Sequence, residues 1–221
     1  MALRPERLIV VTGTGTGIGK TWVSVGLARH FRQHSVGLAI RKPAQSFEPD
    51  DRPESTDAAL LGAASGEAAT DVCPAHRWYP AALAPPMAAA ALGRAPFTIA
   101  DLAAEVTGSW PGGTAVGVGL VEGAGGVASP QADDGDMRQL IAALDPDLVV
   151  VVADAALGTI NLVRLSVDAI RAAGAWPLAV HCNRYDGATD LHRRNVAWLR
   201  DRQGIDATTG IDALAARVAG A

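Results

Sequence analysis

Short apolar runs alternate along this chain with longer segments whose apolar residues recur every three or four positions. The first run, residues 8–11 (LIVV), reads as a buried strand, and residues 22–29 carry helical spacing soon after it. Residues 36–41 predict a second strand that ends at Lys42-Pro43. Residues 44–54, rich in proline and acids, read as a loop. Ser55-Thr56-Asp57 is a helix-start pattern ahead of residues 58–62. Between Cys73 and Pro96 alanine and proline dominate: Pro85-Pro86 is read as preceding an alanine helix, and 97–106 as a further helix. Gly112-Gly113 predicts a turn into a strand over 116–122, closed by Gly123-Ala124-Gly125-Gly126.

Residues 136–144 have helical apolar spacing, and 148–153 (LVVVVA) form a β-branched run suited to a strand buried on both faces. An amphipathic helix follows over 160–173, a strand over 177–182 ending near Asn183, and a helix over 191–200. The tail from Gly204 offers a weak strand and a short final helix. This alternation predicts an α/β fold, a mostly parallel central sheet with helices on both faces, and one domain spanning 1–221. Ligands of such sheets sit beyond the carboxyl ends of the strands. Lys42, Glu122, Asp154 and Asn183 all fall there.

Composition narrows the function. With 49% hydrophobic and 19% charged residues the chain is globular rather than disordered. Its net charge is −4, and no basic run exceeds His192-Arg193-Arg194, which argues against a nucleic-acid or anionic-membrane partner. Cys73 and Cys182 lack metal-ligand spacing and read as reduced, structural thiols. The first residues lack the apolar segment of a signal peptide and no run reaches membrane-spanning length, so a cytoplasmic location is expected.

The chemistry concentrates between the first strand and its helix, in Gly13-Thr14-Gly15-Thr16-Gly17-Ile18-Gly19-Lys20-Thr21, with Trp22 opening the helix. Such a loop turns backbone N–H groups around an anion, with the positive end of the helix behind them. Lys20 is placed to reach the terminal phosphates of a nucleotide, and the Thr21 hydroxyl to hold Mg²⁺. The common form has glycine where Thr14 stands; here the glycine is Gly13, so the loop is one residue longer. Three carboxylates compete as further metal ligands. Local pattern ranks Asp154 and Glu122 equally, with Asp57 third because a helix-start aspartate commonly caps. Lys42, followed by proline and Ser46, is either an exposed strand-end lysine or a group that neutralises charge during phosphoryl transfer.

The phosphate loop, Lys42-Pro43-Ala44-Gln45-Ser46, Glu122-Gly123-Ala124-Gly125-Gly126 and Leu157-Gly158-Thr159-Ile160-Asn161, in this order, resemble dethiobiotin synthetases, which also use the longer loop. The resemblance runs from about Leu8 to Asn183 and implies an ATP-dependent ring-closing ligase of biotin synthesis. In that reaction 7,8-diaminopelargonate forms a carbamate with CO₂, the carbamate takes the γ-phosphate of ATP, and the second amine closes the ureido ring. The resemblance implies that Lys20 and Lys42 flank the carbamate and the transferring phosphoryl, with Thr16 and Ser46 as hydroxyl contacts. It implies Thr21, Asp57 and Glu122 as Mg²⁺ ligands, which demotes Asp154, and Asn183 as an adenine contact. Gly158, Thr159, Ile160 and Asn161 would receive the substrate carboxylate, from the neighbouring subunit of a homodimer.

The chain departs from the family where Gly15 replaces aspartate, Phe47 replaces glycine, and Pro86 and Leu162 replace histidines. Phe47 brings a bulky ring next to the expected carbamate site. In the tail Thr209-Gly210-Ile211-Asp212 stands in for a Gly-x-x-Pro turn. The alternatives are a non-biotin amide-forming ligase with the same loop and a nucleotide switch of the same superfamily. The former is expected to carry a glutamine-hydrolysing domain for which 221 residues leave no room, and the latter a second lysine where Thr14 stands.

Overall fold

In the computed structural model, which describes residues 3–112 and 116–220, the apolar run at the start becomes the middle of a sheet. β1 (Arg7–Gly13) leads through the phosphate loop into α1 (Lys20–Gln33), and β2 (Leu38–Arg41) follows. Next come β3 (Gln45–Ser46), α2 (Asp57–Ser65), α3 (Ala69–Val72), β4 (Trp78–Tyr79), α4 (Pro85–Ala91) and α5 (Ile99–Gly108). β5 (Val118–Glu122), the hairpin β6 (Pro130–Ala132) and β7 (Gly135–Asp136), and α6 (Met137–Leu144) precede β8 (Leu148–Asp154). The chain closes with α7 (Thr159–Ala173), β9 (Leu178–Asn183), α8 (Asp190–Gln203), β10 (Ala207–Thr208) and α9 (Ile211–Gly220).

Six strands form one parallel sheet in the order β10-β9-β8-β1-β5-β2. β1 lies between β5 and β8, with Ile9 opposite both Leu120 and Leu148, which is why every residue from Leu8 to Val11 is buried. Period-two alternation divides those residues between two cores. Ile9 and Val11 pack with Val23, Leu27, Leu61 and Leu214 on the face covered by α1, α2 and α9. Leu8 and Val10 share the opposite core with Leu102, Leu140, Val163 and Leu199 from α5 to α8. The valine run of β8 divides in the same way, so the strand is sealed on both faces. Among the described residues no helix is long and apolar enough to cross a membrane.

Two local expectations need correction. The stretch 44–54 is not all loop: Gln45 and Ser46 pair in parallel with Trp78 and Tyr79, and Pro53–Ser55 make a 3₁₀ turn. A two-residue strand is too short to register as periodicity. Pro85 and Pro86 do not precede α4 but occupy its first two positions, where a missing N–H has no intrahelical partner to lose. The second glycine of the expected 112–113 turn lies outside the described residues.

Candidate active site

The parallel sheet brings the carboxyl ends of β1, β2 and β5 together beside the N-terminus of α1. A cavity of about 500 Å³ opens there, lined among others by Thr16, Lys20, Thr21, Lys42, Ser46 and Asp57. Gly17 and Gly19 hold left-handed backbone (φ 73° and 92°), which lets the loop turn into the helix. A Cβ on Gly126 would come within 3.2 Å of Gly13 O and Gly15 N, and Val127 N donates to Gly13 O at 3.1 Å. The turn after Glu122 is therefore seated directly against the phosphate loop.

At the centre stand three charged side chains and two hydroxyls. Lys42 Nζ lies 2.8 Å from Glu122 Oε1 and 2.6 Å from Asp57 Oδ2. Thr21 Oγ1 is 2.8 Å from Asp57 Oδ1 and 2.9 Å from Glu122 Oε1. Ser24, one turn further along α1, donates to Glu122 Oε2 at 2.6 Å. The Glu122 side chain is wholly buried and that of Lys42 nearly so. Burial by itself would push the Lys42 ammonium down, but the Asp57 and Glu122 carboxylates outweigh it and hold its proton more tightly than usual. Burial likewise works against the Asp57 carboxylate; the adjacent Lys42 charge and the Lys42 and Thr21 hydrogen bonds overcome it and keep the carboxyl below its ordinary range. Lys20 makes no such ion pair among the described residues: burial, then the nearby Lys42 charge, depress its ammonium to about 8, and its Nζ donates to Gly15 O at 2.9 Å.

The donor set fits a hard divalent cation: one hydroxyl and two carboxylates converge with no softer ligand among them. Thr21, Asp57 and Glu122 would hold Mg²⁺. Two polar atoms beside them, Gln45 Nε2 and Ser46 Oγ, are buried and have no hydrogen-bond partner among the described residues. Gln45 Oε1 accepts from Ala58 N at 2.9 Å and so ties β3 to the first turn of α2, where Asp57 sits.

Other expected residues lie elsewhere. Asp154 does not face this cluster: its carboxylate takes Arg184 Nη1 at 2.7 Å and Ala156 N at 3.0 Å. Asn183 touches the phosphate loop from outside, donating to Ile18 O at 2.8 Å. Gly158, with left-handed backbone (φ 94°), caps α7, and Gly158, Ile160 and Asn161 line a separate cavity with Leu157. Thr14 N donates to Val152 O, and Trp22 is exposed on α1. The Phe47 ring packs edge-on against Trp78 and is not part of the cavity lining. Cys73 and Cys182 are buried and free; burial pushes their thiols up to about 12 and about 11, away from the reactive thiolate form. A larger cavity of about 700 Å³ lies between α3 and α5, where Arg41 pairs with Glu67 at 2.6 Å.

Ser24, Gln45 and Arg184 were not legible as site residues. Only Ser24 carried a signal, its position three residues after Thr21 on one helix face.

Residues 7–218 match a family model described as an AAA domain. The chain is 39% identical over 183 residues to an ATP-dependent dethiobiotin synthetase of Acidiphilium cryptum, covering 78% of each protein. It is 34% identical over 199 residues to one of Haloferax mediterranei, covering 88% of this chain and 79% of the relative. The chain belongs to the dethiobiotin synthetase family. Solved structures at low identity share the fold. A plasmid partition protein from Borrelia burgdorferi superposes with TM-score 0.56 at 11% identity, over 99% of this chain and 97% of that one. Chloroplast FtsY from Physcomitrella patens gives 0.54 at 16%, over 96% and 61%. At these identities the likeness extends to the fold alone.

Proposed function

We propose that this protein makes dethiobiotin from 7,8-diaminopelargonate, CO₂ and ATP, with Mg²⁺, in the cytoplasm. The observation that carries the reading is the placement of Lys42 between Glu122 and Asp57, beside a phosphate loop whose own Lys20 lines the same cavity. One amine of the diamine attacks CO₂ and loses a proton, giving a carbamate. A carbamate oxygen attacks the γ-phosphorus, the bond to the β–γ bridging oxygen breaks, and ADP leaves. The second amine attacks the carbonyl of the resulting carbamic–phosphoric anhydride, loses its proton, and expels phosphate as the ring closes.

Each step gathers negative charge that the protein must balance. Lys42 and Lys20 bring two ammonium groups to one cavity, and aligned charge of this kind is the main source of catalysis in phosphoryl transfer. The loop N–H groups and the α1 N-terminus hold the phosphates. Thr21, Asp57 and Glu122 would hold Mg²⁺, which would supply positive charge against the nucleotide's phosphates. Thr16 and the Ser46 hydroxyl serve as substrate contacts, Ser46 being a buried donor that awaits an acceptor. The Asn183 carbonyl oxygen, with its amide NH₂ engaged on Ile18, is left to accept from the adenine amino group.

The substrate carboxylate goes to the α7 N-terminus of a second copy. Residues 158, 160 and 161 line a cavity apart from their own phosphate loop, and Leu157, Leu162 and Leu165 stand exposed around it, which suits a homodimer. Incubating the purified protein with diaminopelargonate, bicarbonate and Mg-ATP tests the assignment: the ureido product is expected by mass, and its absence while Mg-ATP binds would mean a different substrate.

A further inference from the structure

The phosphate loop is also gripped from behind, by groups that face neither the cavity nor its cluster of charges. At the end of β9, Asn183 Nδ2 donates to Ile18 O at 2.8 Å, and Arg184 Nη2 donates to the preceding carbonyl, Gly17 O, at 2.6 Å. Arg184 Nη1 is held at the same time by Asp154 Oδ2 at 2.7 Å. The Asp154 carboxylate is fixed in turn by Ala156 N on its other oxygen, at 3.0 Å. Arg184 itself sits in left-handed backbone (φ 55°), which costs a non-glycine residue energy and persists only where surrounding contacts enforce it.

The consequence follows from peptide geometry. In a planar trans peptide the C=O and the next N–H point in opposite directions. Holding the carbonyls of Gly17 and Ile18 against β9 turns the N–H groups of Ile18 and Gly19 the other way. Gly17 and Gly19 are both left-handed and would adopt many other conformations if nothing held the loop. Presetting two donors lowers the ordering cost of anion binding.

We infer that Arg184, oriented by Asp154, is a positioning residue that clamps the phosphate loop in its anion-binding conformation, and that Asp154 acts through Arg184 rather than as a metal ligand. The inference rests on the phosphate-loop reading and on no property of the diamine site. The fork of a guanidinium suits the task, because it donates to a carboxylate and to a carbonyl simultaneously. A lysine reaches one of them at a time.

Calorimetric titration with Mg-ATP tests this without reference to catalysis. Arg184→Ala is expected to weaken Mg-ATP binding about tenfold, the size of a lost charge-assisted hydrogen bond. Arg184→Lys should fall between Arg184→Ala and the natural protein, at an unchanged melting temperature. Asp154→Ala should weaken binding about threefold in the natural background and not at all in the Arg184→Ala background, with the Mg²⁺ requirement unmoved in both. Natural-like affinity in Arg184→Ala would overturn the clamp. So would an Asp154→Ala effect that persists in full without Arg184, or that appears as a shifted Mg²⁺ requirement. A natural protein that binds no Mg-ATP would overturn the phosphate-site reading itself and the clamp with it, an outcome distinct from normal binding in all variants.

Discussion

The ammonium of Lys42 is enclosed by two carboxylates, and this placement fixes what its removal does. Lys42→Gln leaves Glu122 buried without its counter-ion, a loss that typically costs ~3–5 kcal/mol of stability. Turnover should fall about a hundredfold to a thousandfold with nucleotide binding nearly intact. Urea unfolding with and without Mg²⁺, beside single-turnover rates, checks both; the stability loss should shrink when Mg²⁺ is present. Lys20 behaves differently because its ammonium is already depressed to about 8. Bound phosphates favour the charged form and raise its pKa, so binding takes up a proton between the free and bound values. Mg-ATP affinity should therefore hold below pH 8 and decline as pH rises above it, and Lys20→Arg should flatten that decline. Binding measured from pH 7 to 9.5 shows which. The motif residues were legible because glycine, lysine and hydroxyl in that order admit few other uses. Ser24 and Arg184 were not, because their bonds to Glu122 and Gly17 span 98 and 167 positions, which no local pattern encodes. Phe47 was legible as an anomaly, but its contact with Trp78 depends on the β3–β4 pairing.

Elements place these groups through their ends. Thr56 caps α2, accepting from Ala59 N, and Gln45 accepts from the neighbouring Ala58 N, so Asp57 projects from a helix start held twice. Thr98 caps α5 in a full capping box with Asp101, remote from the cavity. Thr98→Ala and Thr56→Ala should each cost about 1 kcal/mol of stability. Only Thr56→Ala should also raise the Mg²⁺ concentration needed for half-maximal rate, because only that cap carries a site carboxylate. Chemical denaturation and Mg²⁺ titration of the two variants separate the effects. The long elements followed from periodicity, since their apolar faces meet a sheet. β3, β4 and the β6–β7 hairpin did not, because two- and three-residue pairings are decided by tertiary contacts alone.

Across the whole molecule, a parallel sheet ordered β10-β9-β8-β1-β5-β2 gathers phosphate loop, Lys42 and Glu122 at the carboxyl ends of its strands. The start of α7 opens into a different cavity, and the proposed second copy supplies what is missing. Leu165→Asp, on the exposed side of α7, should lower the dimer fraction in sedimentation equilibrium and raise KM for the diamine more than for ATP. The fold class was legible because alternating strands and helices have one common solution.

The proposed reaction requires that a carbamate oxygen, and not water, attack the γ-phosphate. The direct measurement follows ¹⁸O from labelled bicarbonate in unlabelled water, in a short reaction with diaminopelargonate and Mg-ATP. One ¹⁸O should appear in each phosphate released, in step with ureido product. Phosphate without ¹⁸O, its fourth oxygen drawn from water and released without that product, would contradict this route and leave a nucleotide hydrolase in its place.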